Sequence, residues 1–341
     1  MRSTRTLAAV LAQARGAVTV EPVYLGEPGP GEVLLRMQAC GVCHSDLFVA
    51  GLAQLPVAPI TLGHEGIGTV EAVGAGVTGW APGDRAGLTF LGTTCGACEW
   101  CLAGRERFCP RQTNFGYTLQ GALTEFAMAP ALALVRVPVV LAAADAAPLC
   151  CAGWTAYGAL REAGREAALR PGQSVALFGF GGLGHLALQI ARHQGLRVAV
   201  VDVSEEKLEQ ARAGGAEMTA RAEEAGRKLQ KEFGGVHAAI VLTASPAAIQ
   251  QAFRSLRRNG TLVLVGLAAT GYELPLVDTV LKGVTVRGSF LGSRQDLAEV
   301  FELACAGAIR AHVETHELGE TPAVLESLRR GEIAGRAVIA F

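Results

Sequence analysis

The sequence predicts an α/β protein with two domains, a mostly-β region and a doubly wound parallel sheet. Three observations predict this class. The chain has 341 residues, 50% of them hydrophobic, which is enough for two cores. Residues 1 to about 150 are rich in Gly, Pro and β-branched residues in short runs. From about residue 150, strand-like and helix-like segments alternate, and a glycine-rich turn joins the first pair.

The first region opens on "MRSTRTLAAVLAQARGAV". A signal peptide would explain its early positive charge and apolar run, but Gln13 and Arg15 interrupt the run and no cleavage site follows. We therefore expect a first β-strand, followed by strands in "EVLLRMQACGV" and "GIGTVEAVGAGV". No apolar stretch reaches the roughly 18 residues that a membrane span needs. We expect a cytoplasmic protein.

Charge argues against two classes of partner. The formal net charge is −1, and no block of like charge occurs. Neither nucleic acid nor a membrane surface is an expected partner, because both attract strongly basic proteins.

The second region alternates in the order of a parallel sheet. The segments are the strand "SVALFGF", the helix "LGHLALQIARHQG", the strand "RVAVVDV", the helix "SEEKLEQARAGG", then "HAAIVLT", "AAIQQAFRSLRRNG" and "TLVLVGL". After about residue 291 the alternation stops. The closing segment, which ends in "GEIAGRAVIAF", is expected to return to the first region.

A dinucleotide site is predicted where the alternation begins. The turn contains the glycines of a GxGxxG motif between a strand and a helix: Gly179, Gly181, Gly182 and Gly184. Its glycines permit the turn, the approach of a pyrophosphate and close helix packing. Asp202 ends the next strand, where an acid binds the adenosine ribose, and Val203 and Ser204 supply no Arg for a 2′-phosphate. This favours NAD over NADP. The alternative for Asp202 is a helix N-cap.

The spacing of four cysteines predicts a closed metal site, in which the protein supplies all four ligands. "CGACEWCLAGRERFC" is Cys-x2-Cys-x2-Cys-x7-Cys, and four thiolates in one loop suit a structural Zn²⁺. An iron–sulfur cluster is the rival interpretation, but the spacing differs from ferredoxin runs. The ligands would be Cys95, Cys98, Cys101 and Cys109.

A second, open metal site is suggested by residues scattered over a hundred positions. They are Cys43, His64 with Glu65, and Cys150 with Cys151. Two cysteines and one histidine with one free position suit a catalytic zinc. Each residue by itself would equally suit an ordinary protein core.

Together these motifs resemble the zinc-dependent medium-chain alcohol dehydrogenases, and most closely the bacterial tetrameric type. The resemblance runs from "GVCHSDL" and "GHEGIGTV" through "CAGWTAY" and "FGFGGLGHLALQIAR" to "LKGVTVRGSFLGSRQDL" and "GRAVIAF". It implies a GroES-like catalytic domain over 1–152 and 291–341, with a structural-zinc lobe at about 90–112. It also implies a Rossmann NAD-binding domain over 153–290, an active site in the cleft between the domains, and a homotetramer or homodimer.

The resemblance assigns the metal ligands. The catalytic zinc ligands fall on Cys43, His64 and Cys151, and Cys150 is left without a required role. Glu65 and Asp46 match neighbouring carboxylates that orient the ligands. Related polyol dehydrogenases have Glu as the third ligand, so cysteine favours a simple alcohol or ketone.

The resemblance also assigns binding residues. Ser45 matches the hydroxyl that contacts the substrate oxygen, against the alternative of a solvated turn residue. His44 and Arg336 match basic residues near the pyrophosphate, against ordinary surface charges. The remaining coenzyme contacts fall on Thr155 and Leu183 beside the nicotinamide, on Val265, Ser289 and Leu291 at its carboxamide, and on Lys207.

The implied reaction is reversible hydride transfer between C4 of the nicotinamide and the carbinol carbon of a zinc-bound alcohol or carbonyl. The family passes the released proton through the serine and the ribose to a histidine, but Phe48 occupies that position here. Three alternatives follow: the proton passes from the ribose to water, the protein favours ketone reduction, or another base replaces the histidine, with His44 the nearest histidine in sequence. We expect an active enzyme with an altered pH profile.

An apolar substrate pocket is expected from Phe48, Phe90, Trp154, Leu267 and Leu291, although each would also suit core packing. It would accept medium-sized or aryl-bearing alcohols and ketones. Three rival functions are a polyol dehydrogenase, a non-zinc reductase of the superfamily and a non-catalytic protein that binds zinc and NAD. The non-zinc reductase should lack Cys43 and Cys151. A zinc-ribbon nucleic-acid module is disfavoured by the neutral charge.

Overall fold

The computed structural model describes residues 4–165, 169–267 and 271–341. These residues form two compact units. Unit 1 comprises the described residues up to Cys151 together with Leu297–Cys305 and Arg310–Phe341. Unit 2 comprises the described residues of Ala152–Asp296 together with Ala306–Ile309.

Strands and helices follow one another in both units. The strands are β1 (Thr4–Leu11), β2 (Val18–Leu25), β3 (Glu32–Gly41), β4 (Ile60–Thr61), β5 (Gly66–Val73), β6 (Arg85–Leu88), β7 (Phe126–Pro130), β8 (Val135–Arg136), β9 (Ser174–Phe178), β10 (Arg197–Asp202), β11 (Met218–Arg221), β12 (Val236–Val241), β13 (Leu256–Leu264), β14 (Thr285–Gly288), β15 (Val313–His316) and β16 (Arg336–Ala340). The helices are α1 (His44–Ala50), α2 (Glu99–Leu102), α3 (Ala143–Ala146), α4 (Ala152–Ala163), α5 (Gly184–His193), α6 (Glu205–Ala213), α7 (Ala225–Phe233), α8 (Pro246–Ser255), α9 (Leu276–Lys282), α10 (Arg294–Cys305) and α11 (Thr321–Arg330). Short 3-10 turns lie at Glu106–Phe108, Ala131–Ala133, Ala147–Cys150 and Leu318–Glu320.

Unit 1 is built on two sheets whose strands pair antiparallel, except for the parallel pair β15–β16. Among its described residues, the larger sheet has the order β15-β16-β3-β5-β6-β8, and β7 also pairs with β3. A smaller sheet has the order β2-β1-β4. The strand expected at the N-terminus is confirmed as β1. Strand β16 pairs with β3 at Val338↔Gly41 and Ile339↔Cys40. This pairing brings the closing segment to the strand that leads into Cys43.

Unit 2 is a parallel sheet, and it confirms the predicted α/β class. Its described strands have the order β11-β10-β9-β12-β13-β14. The order reverses between β9 and β12, and ligands of such sheets bind beyond the carboxyl ends of the strands at this point. Helix α5 buries Leu186, Ala187, Ile190 and Ala191, spaced as one helical face.

Helix ends follow from local sequence. Ser204 and Ser245 cap α6 and α8 by accepting hydrogen bonds from backbone N–H groups. Helices α7, α9 and α11 end at Gly234, Gly283 and Gly331, each in the left-handed conformation. In the part of the chain that is described, no helix combines the length and the apolar character needed to cross a bilayer.

Candidate functional site

Four buried side chains of unit 1 converge on one point. One ligand atom from each of Cys43, His64, Glu65 and Cys151 lies within 4.8 Å of the others. Cys43 immediately precedes α1, the His64–Glu65 pair lies between β4 and β5, and Cys151 follows a 3-10 turn before α4. Local turns at three distant places in the sequence therefore deliver the predicted ligands to one site.

The cluster suits a metal ion. His64 Nε2 is buried and lacks a hydrogen-bond partner among the described residues, while Nδ1 lies 3.2 Å from Asp46 Oδ1. A metal-binding histidine has this arrangement, with one nitrogen held by a carboxylate and the other free to ligate. Burial alone would lower the pKa of His64, but Asp46 and Cys43 raise it well above its ordinary value. A hydrogen bond from Cys151 and contact with His64 lower the pKa of the Cys43 thiol well below its usual range.

Asp46 holds the cluster together. It is 1% exposed, and its Oδ2 accepts a hydrogen bond from the Cys43 backbone N–H at 2.9 Å. Its Oδ1 accepts one from the Gly63 N–H at 3.1 Å. One carboxylate thus fixes both chain segments that carry ligands, in agreement with its predicted orienting position.

Glu65 forms a buried ion pair with Arg336, which also donates a hydrogen bond to the Val42 carbonyl at 3.2 Å. Burial raises the pKa of Glu65 to about 7, and Arg336 opposes this shift. A Cβ on Gly41 would overlap Glu65 Oε2, so this position requires glycine. The alternative of an ordinary surface charge is wrong for Arg336, which is 3% exposed. Its role at the pyrophosphate stays a prediction.

Two predicted substrate-site residues lie beside the metal ligands. Ser45 is half-buried in the first turn of α1, with Oγ 3.8 Å from Cys43 Sγ. The Phe90 ring packs edge-on to the His64 ring, with 5.4 Å between centroids. On the same helix as Ser45, Phe48 is 52% exposed and His44 is exposed.

The other cysteine cluster is also assembled. The sulfur atoms of Cys95, Cys98, Cys101 and Cys109 lie within 4.8 Å of one another. The backbone N–H of Cys98 donates to Cys95 Sγ at 3.3 Å, and that of Cys95 donates to Cys109 Sγ at 3.4 Å. Such hydrogen bonds favour thiolates, and the N–H groups of Ala97 and Cys98 lower the pKa of Cys95 to about 5. The loop is suited to a closed metal site.

The glycine motif adopts the predicted strand–turn–helix arrangement between β9 and α5. Gly179 has φ +104°, and a Cβ on Gly184 would overlap the Gly179 carbonyl. A Cβ on Gly181 would have no described neighbour within 4 Å. Folding alone thus explains Gly179 and Gly184. The bare backbone at Gly181 fits the approach of a group from outside the chain.

Asp202 reaches back to this turn. Its Oδ2 accepts a hydrogen bond from the Phe180 N–H at 2.7 Å, and Oδ1 accepts one from the Ser204 N–H at 3.0 Å. The alternative of a helix N-cap is wrong for Asp202, because Ser204 caps α6 by accepting from the Lys207 N–H. The Lys207 side chain is half-buried in the first turn of α6.

The predicted carboxamide contacts follow two neighbouring strands. Val265 and Ser289 come after β13 and β14, and their N–H groups donate to Val241 and Leu264 carbonyls at 3.0 and 2.9 Å. Leu291 has φ +54°, unusual for a residue with a side chain. Thr155 is buried on α4, and Leu183 directly precedes α5.

The burial of three further residues bears on their predicted roles. Trp154 is 1% exposed, which favours core packing over pocket lining, whereas Leu267 is 69% exposed. Cys150 is fully buried, and burial raises the pKa of its thiol, in keeping with a neighbour that has no ligand role. Unit 2 also has a cavity of about 600 Å³, lined by His237 and Arg257 among others. None of the predicted site residues lines this cavity.

Comparisons with known proteins agree with this geometry. The model of the alcohol dehydrogenase GroES-like domain matches residues 29–139, and that of the zinc-binding dehydrogenase matches residues 182–306. An alcohol dehydrogenase of Geobacillus stearothermophilus is 42% identical over 336 residues, which cover 97% of this chain and 98% of that protein.

Solved structures agree over nearly the full length. The alcohol dehydrogenase from the hyperthermophilic archaeon Aeropyrum pernix has a TM-score of 0.91 at 33% identity, covering 98% of this chain and 100% of its own. The acetophenone reductase from Geotrichum candidum in complex with NAD has a TM-score of 0.87 at 29% identity, covering 99% of this chain and 97% of its own.

Proposed function

Because the chain belongs to the zinc-dependent medium-chain alcohol dehydrogenase family, we propose that it catalyses reversible hydride transfer between nicotinamide C4 and the carbinol carbon of an alcohol. The reverse reaction reduces a ketone or an aldehyde. The observation that carries this proposal is the buried set of Cys43, His64 and Cys151, with His64 Nε2 left unpartnered among the described residues.

The enzyme uses zinc and NAD(H). We propose Cys43, His64 and Cys151 as the ligands of the catalytic zinc, with Glu65 as a neighbouring carboxylate. The cysteines at 95, 98, 101 and 109 are the proposed ligands of a structural zinc. When bound, zinc lowers the pKa of a substrate hydroxyl, and NAD takes up the hydride that leaves the carbinol carbon.

The chain's own residues would orient the reactants and move the proton. Ser45 Oγ would accept the substrate proton while its own hydroxyl proton is released toward solvent. Phe48 cannot continue this relay, and its 52% exposure places the end of α1 beside solvent. Asp46 keeps His64 in the orientation that presents Nε2.

The coenzyme contacts remain as predicted from the sequence. Gly181 leaves room for the pyrophosphate, Asp202 binds the adenosine ribose, and His44 and Arg336 supply positive charge. The site is completed by the backbone of the glycine motif, by Lys207 and by the residues assigned to the nicotinamide. The motif glycines are Gly179, Gly182 and Gly184. Support comes from the open space at Gly181 and from the carboxylate of Asp202 at the turn.

A simple alcohol or ketone with an aryl or medium-sized apolar group is the proposed substrate class. Phe90 against His64 supports an apolar wall near the metal ligands. The structural relative named as an acetophenone reductase acts on an aryl ketone by its name. A polyol dehydrogenase and a non-catalytic protein that binds zinc and NAD are the alternatives.

We also propose a homotetramer or homodimer in the cytoplasm, with functional domains at 1–152 plus 291–341 and at 153–290. The compact units support the domain proposal. Helix α9 supports association, because it buries none of its own residues and exposes an apolar stripe of Leu276, Val277, Val280 and Leu281. None of the described cysteines forms a disulfide, as a reducing compartment favours.

The test is a pair of rates across a broad pH range. Reduction of a secondary ketone with NADH and oxidation of a primary alcohol with NAD would be measured for the wild type and Phe48→His. We expect the wild type to turn over and the variant to gain a titration near pH 6.5, since histidine ionises there. Tyr24→His, another exchange of an exposed aromatic residue, is the matched control.

Two outcomes would contradict the proposal in different ways. A wild type that binds zinc but acts on no simple alcohol or ketone would refute the enzyme and favour the binding protein. If the wild type is active but Phe48→His has the same pH profile, only the proton path through position 48 would be refuted.

A further inference from the structure

The segment of residues 289–293, between β14 and α10, has a conformation that its own sequence does not favour. Leu291 adopts φ +54°, in the left-handed region that side-chain-bearing residues avoid, and it is 5% exposed. Such conformations persist only where the surroundings fix them, and they concentrate at functional sites. Ser289 Oγ in the same segment is buried without a hydrogen-bond partner among the described residues.

Helix α4 approaches this segment through a glycine. Gly158 lies inside the helix, where alanine would be preferred by about 1 kcal/mol in the absence of other contacts. A Cβ at position 158, however, would overlap the Leu291 carbonyl oxygen. The glycine therefore lets the helix backbone lie directly against the left-handed residue.

Trp154, one turn earlier on α4, holds the next part of the segment. Its indole Nε1 donates a hydrogen bond to the Ser293 carbonyl at 2.6 Å. The ring also covers Gly292, where a Cβ would lie 2.6 Å from the indole. The tryptophan is therefore both a donor to the segment and a wall beside it.

Asp296 fixes the end of the segment. Its Oδ2 accepts from the Ser293 N–H at 2.7 Å, and its own N–H donates to Ser293 Oγ at 3.1 Å. Arg161 of α4 donates to the other carboxylate oxygen, and Asp296 is 3% exposed. Helix α4 therefore contacts the segment directly through Gly158 and Trp154, and through Arg161 it contacts the aspartate that fixes the segment's end.

We propose that Trp154, Gly158 and Asp296 are positioning residues that hold segment 289–293 ready to bind the nicotinamide carboxamide. This inference rests on the proposed function, which places carboxamide contacts at Ser289 and Leu291. A preorganised loop binds its ligand more tightly because it does not have to be ordered on binding. Loosening the loop should therefore weaken binding of the nicotinamide half of the coenzyme alone.

The test compares two ligands by titration calorimetry on the zinc-loaded enzyme. NADH carries the carboxamide, whereas ADP-ribose has the same adenosine, pyrophosphate and ribose without nicotinamide. For Trp154→Phe and Gly158→Ala we expect Kd for NADH to rise about tenfold, the effect of one lost buried hydrogen bond or a comparable displacement. Kd for ADP-ribose should stay at the wild-type value. Asp296→Asn should behave in the same way.

Phe253→Leu is the control, since Phe253 is buried in a separate core cluster of unit 2. It should lower the melting temperature and leave both Kd values unchanged. Equal loss of NADH and ADP-ribose binding, or unchanged binding of both, in the α4 variants would overturn the inference. A wild type that binds ADP-ribose but not NADH would overturn the proposed function, and the inference with it.

Discussion

At the scale of single residues, Asp46 is the most informative position in the candidate metal site. It accepts two backbone N–H groups and lies against His64 Nδ1. Asp46→Asn would replace one carboxylate oxygen, which accepts a hydrogen bond, by an amide NH2 group. That group would face a backbone N–H, which is also a donor. We expect zinc affinity or kcat/KM to fall by about 10–100-fold, as for other outer-shell partners of metal ligands.

Zinc content after dialysis against a chelator and steady-state kinetics would measure this effect. Asp145→Asn is the matched control, because Asp145 pairs with Arg310 at the surface and not with a metal ligand. Wild-type zinc retention and kcat/KM in Asp46→Asn would show that the carboxylate is dispensable.

The environment of His237 predicts that the folding stability of the protein depends on pH. Burial, followed by nearby Arg257, lowers the pKa of its ring in the folded protein. The unfolded chain therefore binds a proton near pH 6.5 that the folded protein refuses, so stability falls as pH decreases below about 6.5. His237→Gln should reduce this loss.

Melting temperatures at pH 7.5, 6.5 and 5.5 would be compared for the wild type, His237→Gln and the control His193→Gln, which removes an exposed histidine. Loss of zinc at low pH affects all three proteins alike and cancels in the differences. Parallel melting curves across pH for wild type and His237→Gln would contradict the assignment.

Spacing predicted the cluster of four cysteines, whereas the resemblance to the family was needed to choose Cys43, His64 and Cys151 from the scattered candidates. Both groups converge in the structure. The Glu65–Arg336 pair was missed, since the two residues are 271 positions apart and no local pattern links them. The N-cap at Ser204 was not predicted: a cap was considered only for Asp202, as the alternative to ribose binding, although serine is just as suitable.

At the scale of elements, the strand–turn–helix of β9 and α5 predicts that two glycines of one motif behave differently. Gly184→Ala would place a methyl group against the Gly179 carbonyl, so we expect a loss of about 1–3 kcal/mol in folding stability. Gly181→Ala meets open space, so its stability should stay near that of the wild type while NADH binding weakens sharply.

Chemical denaturation and NADH titration of both variants would separate the two effects. Gly319→Ala is the control for Gly181→Ala, because a Cβ at Gly319 would also have no described neighbour within 4 Å. A stable Gly181→Ala variant with wild-type NADH affinity would remove this position from the coenzyme site.

The sequence predicted the strands β9, β10, β12 and β13 of unit 2 and the helices between them, but it missed β11, α7, α9 and β14 and did not predict where the elements end. The segment "AAIQQAFRSLRRNG" resembles one helix, but α8 ends at Ser255 and β13 begins at Leu256. Leu256 is buried and pairs with Val236, so contact with β12 decides the boundary. Tertiary contacts of this kind override local preference and are invisible in a single sequence.

At the scale of the whole molecule, α9 predicts association. A seven-residue helix with no buried residue of its own has little to stabilise it, and isolated helices of this length are marginal in water. Val280→Glu would place a charge in the exposed apolar stripe. We expect the variant to shift from an oligomer to a smaller species in sedimentation velocity.

Leu132→Glu is the control, because Leu132 is 84% exposed in unit 1, outside the stripe. The control should sediment as the wild type does. An oligomer that survives Val280→Glu unchanged would place the subunit contact elsewhere, and a monomeric wild type would refute the oligomer itself.

The Glu65–Arg336 pair has a consequence for biosynthesis. A ribosome makes Glu65 first and Arg336 only after all of unit 2 has been translated, because unit 2 interrupts the sequence of unit 1. Until then the carboxylate beside the metal ligands has no cation, and strand β3 lacks its neighbour β16. The ribosome has therefore made Cys43, His64, Cys151 and the whole coenzyme-binding unit before Arg336 can pair with Glu65, so the ion pair beside the proposed metal ligands is the last part of this site to form.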